Sequence, residues 1–282
     1  MRLVVTGAGG GLARAFLAHL GPRADVVAFP HGELDVGDAG QVRDRIPACD
    51  AIVNLAAFTD VDGCERDPAR AERDNATAVA HLAAAARARG AALLHVSTDY
   101  VFDGRKGAPY DERDAPAPLS VYGRTKLAGE EHARTVPEHL VVRTGFLFGV
   151  GRDHCSRSVA RMVVGEEAGG LVDRVGSPTF VPDLAARLLP LLASGRWGTY
   201  HLAGPEPTTW FDVLDRARRI GGLPGRVVAQ HAADLHLLAP RPAASALASV
   251  RLAEAGVDPL PPLDDAIGRL LREGALPASG PA

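Results

Sequence analysis

The chain has 282 residues and a formal net charge of −3, with 31 basic and 34 acidic side chains. The basic residues are spread among the acids, which argues against a nucleic-acid partner, and no apolar run approaches the roughly 18 residues of a membrane span. A strand is predicted almost at the first residue, so we expect no signal peptide. Cys49, Cys64 and Cys155 lack the spacing of a metal site or a disulfide framework. These features predict a cytoplasmic protein with reduced thiols and no metal.

A glycine-rich turn follows the first predicted strand. The apolar, β-branched run from Arg2 to Thr6 predicts a strand, and Ala15 to Leu20 predicts a helix. Gly7 permits a tight turn, Gly10 allows a close backbone approach, and the N–H groups at the helix start can receive a pyrophosphate. The order strand, glycine turn, helix therefore predicts a dinucleotide-binding loop. The cofactor contacts predicted in this loop are Gly7, Gly10, Gly11, Leu12, Ala13 and Arg14.

The end of the second predicted strand bears on the choice of cofactor. This strand, Asp25 to Phe29, is followed by a proline and a histidine rather than by the acidic residue that binds the adenosine ribose of NAD. Arg14 adds positive charge where a 2′-phosphate would lie, so the sequence favours NADPH, with NADH as the alternative. Asp35 and Val36 are predicted to contact the adenine; the competing interpretation is an exposed acidic turn.

Small residues follow the third predicted strand, Ala51 to Leu55. A ribose and a diphosphate can pass close to a backbone without large side chains, so Ala56 and Ala57 are predicted cofactor contacts.

Two polar residues stand out in the next segments. A long helix is predicted from Pro68 to Arg89, and Asn75 inside it either faces solvent or is a polar anchor near the cofactor. The fourth strand, Ala92 to Val96, is apolar except for His95, which we interpret as a satisfied core histidine rather than a catalyst.

The candidate chemistry lies after the fourth strand. Thr98 supplies a hydroxyl at the strand end, and a helix predicted to begin near Ser120 carries Tyr122 and Lys126 four residues apart. That spacing places the phenol and the ammonium on one helix face, one turn apart. The phenol can act as an acid, and the compact ammonium can lower its pKa and donate to a sugar hydroxyl. Thr98, Tyr122 and Lys126 are the predicted catalytic residues, and the last two are also predicted cofactor contacts.

The alternation of strands and helices predicts an α/β fold with a doubly wound parallel sheet, whose ligand lies at the carboxyl ends of the strands. A fifth strand is predicted at Leu140 to Thr144, and a further strand at Thr199 to Ala203. The pattern loosens after Gly149. We therefore predict a cofactor-binding domain over residues 1–148, to which residues 176–204 return. An interleaved, smaller C-terminal substrate-binding lobe is predicted over 149–175 and 205–276, followed by a frayed tail at 277–282.

Longer motifs carry a resemblance that covers nearly the whole chain. The most specific is Ser97-Thr98-Asp99-Tyr100-Val101-Phe102-Asp103-Gly104, and others are Asn54 to Asp62, Tyr122 to Lys126 and Gly176-Ser177-Pro178-Thr179. On these motifs the chain resembles the dTDP-4-dehydrorhamnose reductase family, a branch of the extended short-chain dehydrogenases/reductases with a Rossmann fold. The resemblance implies an NAD(P)H-dependent reductase that transfers hydride to the C4 ketone of a nucleotide-linked 4-keto-6-deoxyhexose.

The resemblance also implies roles for individual residues. The family's catalytic hydroxyl, tyrosine and lysine fall on Thr98, Tyr122 and Lys126, so that Tyr122 would protonate the developing alkoxide and Thr98 would orient the carbonyl. The implied substrate contacts are Thr59, Val61, Asp99, Tyr100 and Phe146. The expected partners are a nucleotide-sugar substrate and, in a homodimer, a second copy of the chain; neither a nucleic acid nor a membrane is expected.

The sequence departs from the family pattern on the substrate side. Phe146 stands where a tryptophan is expected to pack on the sugar, and Ala244 replaces a polar asparagine. The segment from Gly151 to His154 lacks the usual pair of asparagines. The substrate is therefore left open between dTDP-4-dehydrorhamnose and a related deoxysugar.

Two other functions compete with a reductase. A non-catalytic regulatory subunit resembling the β subunit of methionine adenosyltransferase would keep the fold, but the intact Thr98, Tyr122 and Lys126 argue against it. A sugar-nucleotide dehydratase of the wider superfamily would carry a glutamate as base where this chain has Tyr100.

Overall fold

A computed structural model of the chain describes residues 1–273. Its strands are β1 (Arg2–Thr6), β2 (Asp25–Phe29), β3 (Ala51–Asn54), β4 (Ala92–Thr98), β5 (His139–Thr144), β6 (Leu147–Phe148), β7 (Glu167–Leu171), β8 (Val175–Gly176), β9 (Thr179–Phe180), β10 (Gly198–His201), β11 (Thr208–Thr209) and β12 (Arg226–Gln230). Its α-helices are α1 (Gly11–Leu20), α2 (Ala39–Arg45), α3 (Val61–Arg66), α4 (Pro68–Glu72), α5 (Ala78–Arg89), α6 (Val121–Ala133), α7 (His154–Val163), α8 (Val181–Ala193), α9 (Trp210–Gly221) and α10 (Leu263–Glu273).

The central sheet is parallel, with strand order β10-β5-β4-β3-β1-β2. The order reverses at β1, which pairs with β2 on one side and with β3 on the other. In such sheets the helices lie on both faces, and a crevice opens at the carboxyl ends of the strands beside the reversal. The predicted doubly wound α/β fold is confirmed.

Two apolar cores cover the two faces of this sheet. On one face, α1 and α8 pack together over β1 and β5, and Phe16, Leu188 and Tyr200 are fully buried there. On the other face, α2, α5 and α6 supply Val42, Leu82 and Ala133. The strands are buried on both sides, which explains their nearly continuous apolar sequences.

The later part of the chain builds a second set of elements beside the sheet. Strands β7 and β12 pair in parallel, and helices α7, α9 and α10 enclose a separate core that contains Met162, Val213 and Ile267. Helix α8 and strand β10 return to the large sheet. The division into a cofactor-binding domain and a substrate-binding lobe stays a prediction, and the tail predicted at 277–282 lies outside the described residues. Within the described part of the chain, no helix has the length and apolar character to cross a bilayer.

Several elements of the structure were not predicted from the sequence: the helix α10, the strands β7 and β12, and two short helices. The sequence analysis missed α2 and α3, which have seven and six residues and give too few turns for a helical period to emerge. The side chain of Asp38 caps α2, and that of Asp60 caps α3. The helix predicted from Pro68 to Arg89 is divided, because residues 73–77 form a π-helical segment between α4 and α5.

A buried carboxylate joins α6 to the sheet. Glu130 Oε1 accepts hydrogen bonds from Ser97 Oγ of β4 at 2.6 Å and from Arg143 Nε of β5 at 2.9 Å. Its Oε2 accepts from Arg143 Nη2 at 2.7 Å and from Arg134 Nη2 at 2.6 Å. Burial by itself would raise the pKa of Glu130, but the hydrogen bonds and charge of Arg143 outweigh burial and lower the pKa. The carboxylate is therefore ionised and fixes the position of α6 along β4 and β5.

Replacing Glu130 with alanine should strongly destabilise the protein, because Arg143, only 3% exposed, would keep a buried charge without its carboxylate. We expect the free energy of unfolding in urea to fall by about 3–5 kcal/mol. Glu131→Ala, at an exposed position on the same helix, is the matched control and should change it by less than about 0.5 kcal/mol. Equal losses in the two variants would contradict the proposed importance of the buried pair.

Candidate active site

A cavity of about 850 Å³ opens beside the carboxyl ends of β4 and β5, and the glycine-rich loop and the segment after β3 form part of its wall. Most of the residues predicted from the sequence line it, although they come from distant parts of the chain. These are Gly10, Gly11, Leu12, Ala13, Ala56, Ala57, Thr59, Val61, Thr98, Asp99, Tyr100, Tyr122, Lys126 and Phe146. The fold thus brings the predicted cofactor loop, catalytic residues and substrate contacts to one cavity.

The glycine loop has the geometry of an anion cradle. Gly7 has a φ of +70°, and a Cβ atom there would lie 2.6 Å from the backbone nitrogen of Ala56, so only glycine fits. Gly10, just before α1, offers no side chain to cap the helix, and the first turn of α1 carries no acidic residue. The first N–H groups of a helix lack partners within it. Leu12 and Ala13 of that turn line the cavity, which suits a diphosphate.

Four predicted cofactor residues lie outside the cavity lining. Gly7 lies behind the loop, against Ala56. The guanidinium of Arg14 donates to the Gly9 carbonyl. Asp35 pairs with Arg73, and the Val36 carbonyl lies 3.2 Å from His81 Nδ1. The cofactor contacts of Arg14, Asp35 and Val36 stay predictions.

Tyr122 and Thr98 both line the cavity, and the Thr98 hydroxyl lies close enough to lower the pKa of the Tyr122 phenol. Thr98 ends β4, and Tyr122 is in the first turn of α6, which Ser120 caps by accepting from Gly123 N at 3.1 Å. Gly123 lets the helix approach closely, because a Cβ atom there would lie 2.2 Å from the Tyr100 carbonyl oxygen. The Tyr100 and Tyr122 rings meet edge to face at 5.9 Å. The motif residues are therefore packed together in space as well as in sequence.

The ionisation of Tyr122 differs from the expected one. Burial raises the pKa of Tyr122 well above its usual range, and the nearby Thr98 hydroxyl offsets only part of that increase. The sequence predicts a pKa lowered by Lys126, but Lys126 Nζ donates to the Val96 carbonyl at 2.8 Å and lies 3.4 Å from His95 Nε2. Tyr122 therefore holds its proton at neutral pH, as an acid must before it reacts.

Lys126 is unusual as a lysine that is only 2% exposed. Burial lowers the pKa of Lys126 to about 8, and the charge of Glu130 partly opposes this change. Its ammonium can therefore lose a proton within the range in which enzymes usually work.

Asn75 anchors the backbone that lines the cavity. It is 1% exposed, so the solvent-facing interpretation is wrong. Its Oδ1 accepts from Phe58 N at 2.8 Å, and its Nδ2 donates to the Phe58 carbonyl at 3.0 Å. These bonds fix the segment that begins with Ala56 and Ala57.

Asp99 is a buried acid that joins the catalytic motif to a late segment. Its carboxylate accepts hydrogen bonds from Thr98 Oγ1 at 3.1 Å and from Ser245 Oγ. Burial raises the pKa of Asp99 to about 6, although these hydrogen bonds act in the opposite direction.

An aromatic wall on the substrate side was only partly predicted. Phe146 has a φ of +48°, which is strained for a residue other than glycine. Its ring stacks on Trp210 at 5.1 Å, and the His154 ring meets Trp210 edge to face at 5.6 Å. The sequence analysis missed several other cavity residues, including Arg152, His154, Arg174, Trp210 and Arg241. The sequence gives no local signal that Trp210, which begins a helix 64 residues after Phe146, contacts that ring.

The comparison with known proteins agrees with this geometry. The protein family described as RmlD substrate binding domain matches residues 1–275. The chain belongs to this family. It is 40% identical over 273 residues to a dTDP-4-dehydrorhamnose reductase of Mycobacterium tuberculosis. The matched region covers 92% of this chain and 88% of the relative.

Two other relatives show the spread of the family. A probable dTDP-4,6-dihydroxy-2-methyloxan-3-one 4-ketoreductase of Streptomyces antibioticus is 38% identical, over 92% of the chain and 91% of the relative. A dTDP-4-dehydrorhamnose reductase of Bacillus anthracis, solved in complex with NADP, is 29% identical with a TM-score of 0.93, over 97% of this chain and 99% of that one. The resemblance predicted from the sequence motifs is confirmed.

Replacing Asp99 with asparagine should remove a pH-dependent loss of stability. Because the folded pKa is raised, the contribution of this carboxyl is fully present below its unfolded pKa near 3.8 and is lost as pH rises through about 6. We expect the free energy of unfolding of Asp99→Asn, relative to the wild type, to increase by about 1–3 kcal/mol between pH 4 and pH 7. Urea unfolding at several pH values measures this difference.

The exposed Asp234 provides the control, since Asp234→Asn should follow the wild type at every pH. A constant difference between Asp99→Asn and the wild type across the same range would show that the carboxyl is not perturbed in the folded protein.

Proposed function

We propose that the protein is an NADPH-dependent reductase that transfers hydride to the C4 ketone of a nucleotide-linked 4-keto-6-deoxyhexose, with NADH as an alternative cofactor. The observation that carries this proposal is the placing of Thr98, Tyr122 and Lys126 in the same cavity as the glycine loop. Two hydroxyls and an anion cradle in one cavity suit a ketone beside a nicotinamide dinucleotide.

The residues present fit a dinucleotide. Leu12 and Ala13 present the start of α1 to the diphosphate, and the small side chains of Ala56 and Ala57 leave room for the chain of the cofactor. Bound there, the reduced nicotinamide supplies the hydride. The complex of the Bacillus anthracis relative with NADP supports NADPH as the cofactor.

The proton is supplied by Tyr122. Its raised pKa keeps the phenol protonated, and the Thr98 hydroxyl lines the same cavity. A ketone oxygen held there accepts hydrogen bonds from Thr98 and Tyr122, and the proton of Tyr122 passes to that oxygen as negative charge develops. The ammonium of Lys126, one turn away on α6, stabilises the phenolate that remains.

The other end of the cavity suits a sugar nucleotide. Phe146, stacked on Trp210, offers an apolar face for a deoxyhexose. Arg152, Arg174 and Arg241 also line the cavity and can donate to a diphosphate, with Arg174 paired to Asp173 and Arg241 to Asp62. The predicted substrate contacts Thr59, Val61, Asp99 and Tyr100 also line the cavity. The names of the relatives support a dTDP-linked 4-ketone, either dTDP-4-dehydrorhamnose or a related deoxysugar.

The two competing functions are less well supported. A regulatory subunit would have no need of a paired Thr98 and Tyr122 beside a buried lysine. A dehydratase requires a carboxylate base at the position of Tyr100, where the chain instead carries a phenol whose pKa burial raises to about 12.

The expected cytoplasmic location is supported by the three cysteines, which are all free thiols in the structure. A homodimer stays a prediction, which sedimentation velocity can check.

The function is tested by mixing the protein with NADPH and enzymatically prepared dTDP-4-keto-6-deoxy sugars and following the absorbance of the reduced nicotinamide. We expect oxidation of NADPH with at least one nucleotide-linked 4-ketone. An absence of turnover across a panel that varies base and sugar, combined with tight binding of a protein partner, would favour the regulatory subunit.

The role of Tyr122 is tested with Tyr122→Phe. Loss of the acid should reduce kcat by about 10²–10⁴-fold while NADPH binding, measured by calorimetry, is retained. Tyr200→Phe is the matched control, because Tyr200 lies on the edge strand β10, outside the cavity lining, and its phenol donates to the Arg196 carbonyl. Near-normal turnover of Tyr122→Phe would exclude Tyr122 as the acid.

A further inference from the structure

A buried histidine lies between the sheet and the lysine of the site. His95, on β4, has no exposed surface. Its Nδ1 lies 3.0 Å from Asn54 Nδ2 at the end of β3, and its Nε2 lies 3.4 Å from Lys126 Nζ on α6. The interpretation of His95 as a satisfied core histidine therefore leaves one of its contacts unexplained.

The orientation of the Asn54 amide is fixed by its other partners. Asn54 Oδ1 lies 3.2 Å from the backbone nitrogen of Ala56 and 2.7 Å from Thr6 Oγ1. A backbone N–H can only donate, so the amide atom that faces Ala56 must be the oxygen. The NH₂ group therefore faces His95, and His95 Nδ1 must accept its hydrogen bond.

This bond decides the tautomer of the histidine. Burial, together with the charges of Lys126 and Arg134, holds the pKa of His95 well below its usual range, so the ring is neutral. A neutral imidazole whose Nδ1 accepts carries its proton on Nε2. That N–H group faces Lys126 Nζ. An ammonium has no lone pair with which to accept this proton, whereas a neutral amine has one.

We propose that His95 is a positioning residue for Lys126: with its tautomer selected by Asn54, it contacts Nζ and favours the amine form of the lysine over the ammonium form. The catalytic meaning of this arrangement rests on the proposed function, in which the charge of Lys126 stabilises the phenolate. The arrangement itself can be measured without cofactor or substrate.

The other groups around Lys126 do not prevent the contact with His95 from favouring the amine form. The Val96 carbonyl of β4 accepts one proton of Nζ and is compatible with either form. Glu130, one turn further along α6, favours the ammonium, but its charge is shared with Arg143 of β5 and with Arg134. Tyr122 is uncharged at neutral pH, and the Asn54 side chain of β3 is neutral.

The ionisation of Lys126 can be measured directly, because the only lysines of the chain are Lys106 and Lys126. NMR of protein labelled with ¹³C at lysine Cε should show two signals, and Lys106→Arg, at a surface position paired with Asp114, assigns them. We expect the Lys126 signal to titrate near pH 8. In ¹⁵N-histidine spectra we expect His95 to show the Nε2–H tautomer, with a His95 variant assigning its signal.

Asn54→Asp is the decisive variant, because aspartate has nearly the shape of asparagine but reverses the direction of the hydrogen bond between residue 54 and His95 Nδ1. One carboxylate oxygen still accepts from Ala56 N and Thr6 Oγ1, while the other must accept from His95 Nδ1–H. The ring then presents a bare Nε2 to Lys126, which favours the ammonium. We expect the tautomer to change and the Lys126 midpoint to rise by about one pH unit, so that at pH 9 the ammonium fraction increases roughly fivefold.

Thr6→Val is the matched control. It removes one hydrogen bond to Asn54 Oδ1 but leaves Ala56 N to fix the amide, so both the tautomer and the Lys126 midpoint should stay unchanged.

Three results would overturn the proposal. The first is an Nδ1–H tautomer of His95 in the wild type, which needs no variant to detect. The second is a Lys126 midpoint that stays constant in Asn54→Asp, or that rises without a change of tautomer, since the new charge alone would explain such a rise. The third is an equal shift in Thr6→Val. None of these results depends on turnover, so they are distinct from a failure of the proposed function.

Discussion

The buried Glu130 carboxylate is the constraint on which the catalytic geometry depends. A buried ion pair is tolerated only when nearly all of its hydrogen bonds are made, so α6 can dock at only one depth and one rotation. Ser97 and Thr98 point to opposite sides of β4, as adjacent residues of a strand do. Ser97 bonds to Glu130, while Thr98 is left to face Tyr122 in the cavity. The hydrogen bonds of Glu130 thus set the distance between Thr98 and Tyr122, although they involve neither residue.

A second set of bonds couples the cofactor side of the cavity to the catalytic side. Thr6, Asn54 and His95 lie at neighbouring positions on β1, β3 and β4, and hydrogen bonds connect them across the sheet toward Lys126. The loop after Thr6 also packs against Ala56, which itself donates to Asn54. A shift of the glycine loop would therefore also displace Lys126. All of the connecting groups are buried, and an unmade hydrogen bond between buried groups costs free energy.

The substrate side is assembled differently, from late segments that reach back to early ones. Ser245 bonds to Asp99, Arg241 pairs with Asp62 at 3.0 Å, and Trp210 stacks on Phe146. Each contact joins residues more than 60 positions apart in the chain. The departures from the family motifs that the sequence analysis finds, at Phe146 and Ala244, lie in this part of the structure, whereas Thr98, Tyr122 and Lys126 match those motifs.

The sequence alone determined what depends on local order: the glycine loop, the strands of a parallel sheet, and the placing of Tyr122 and Lys126 one turn apart. It missed α2 and α3, which are too short for their period to be recognised, and Trp210, whose neighbours are distant in sequence. Only the tertiary structure decided how Tyr122, Lys126 and His95 ionise, because burial and the partners brought by other strands set those pKa values. Spacing could place a phenol and an amine together, but it could not show that Lys126 faces a histidine.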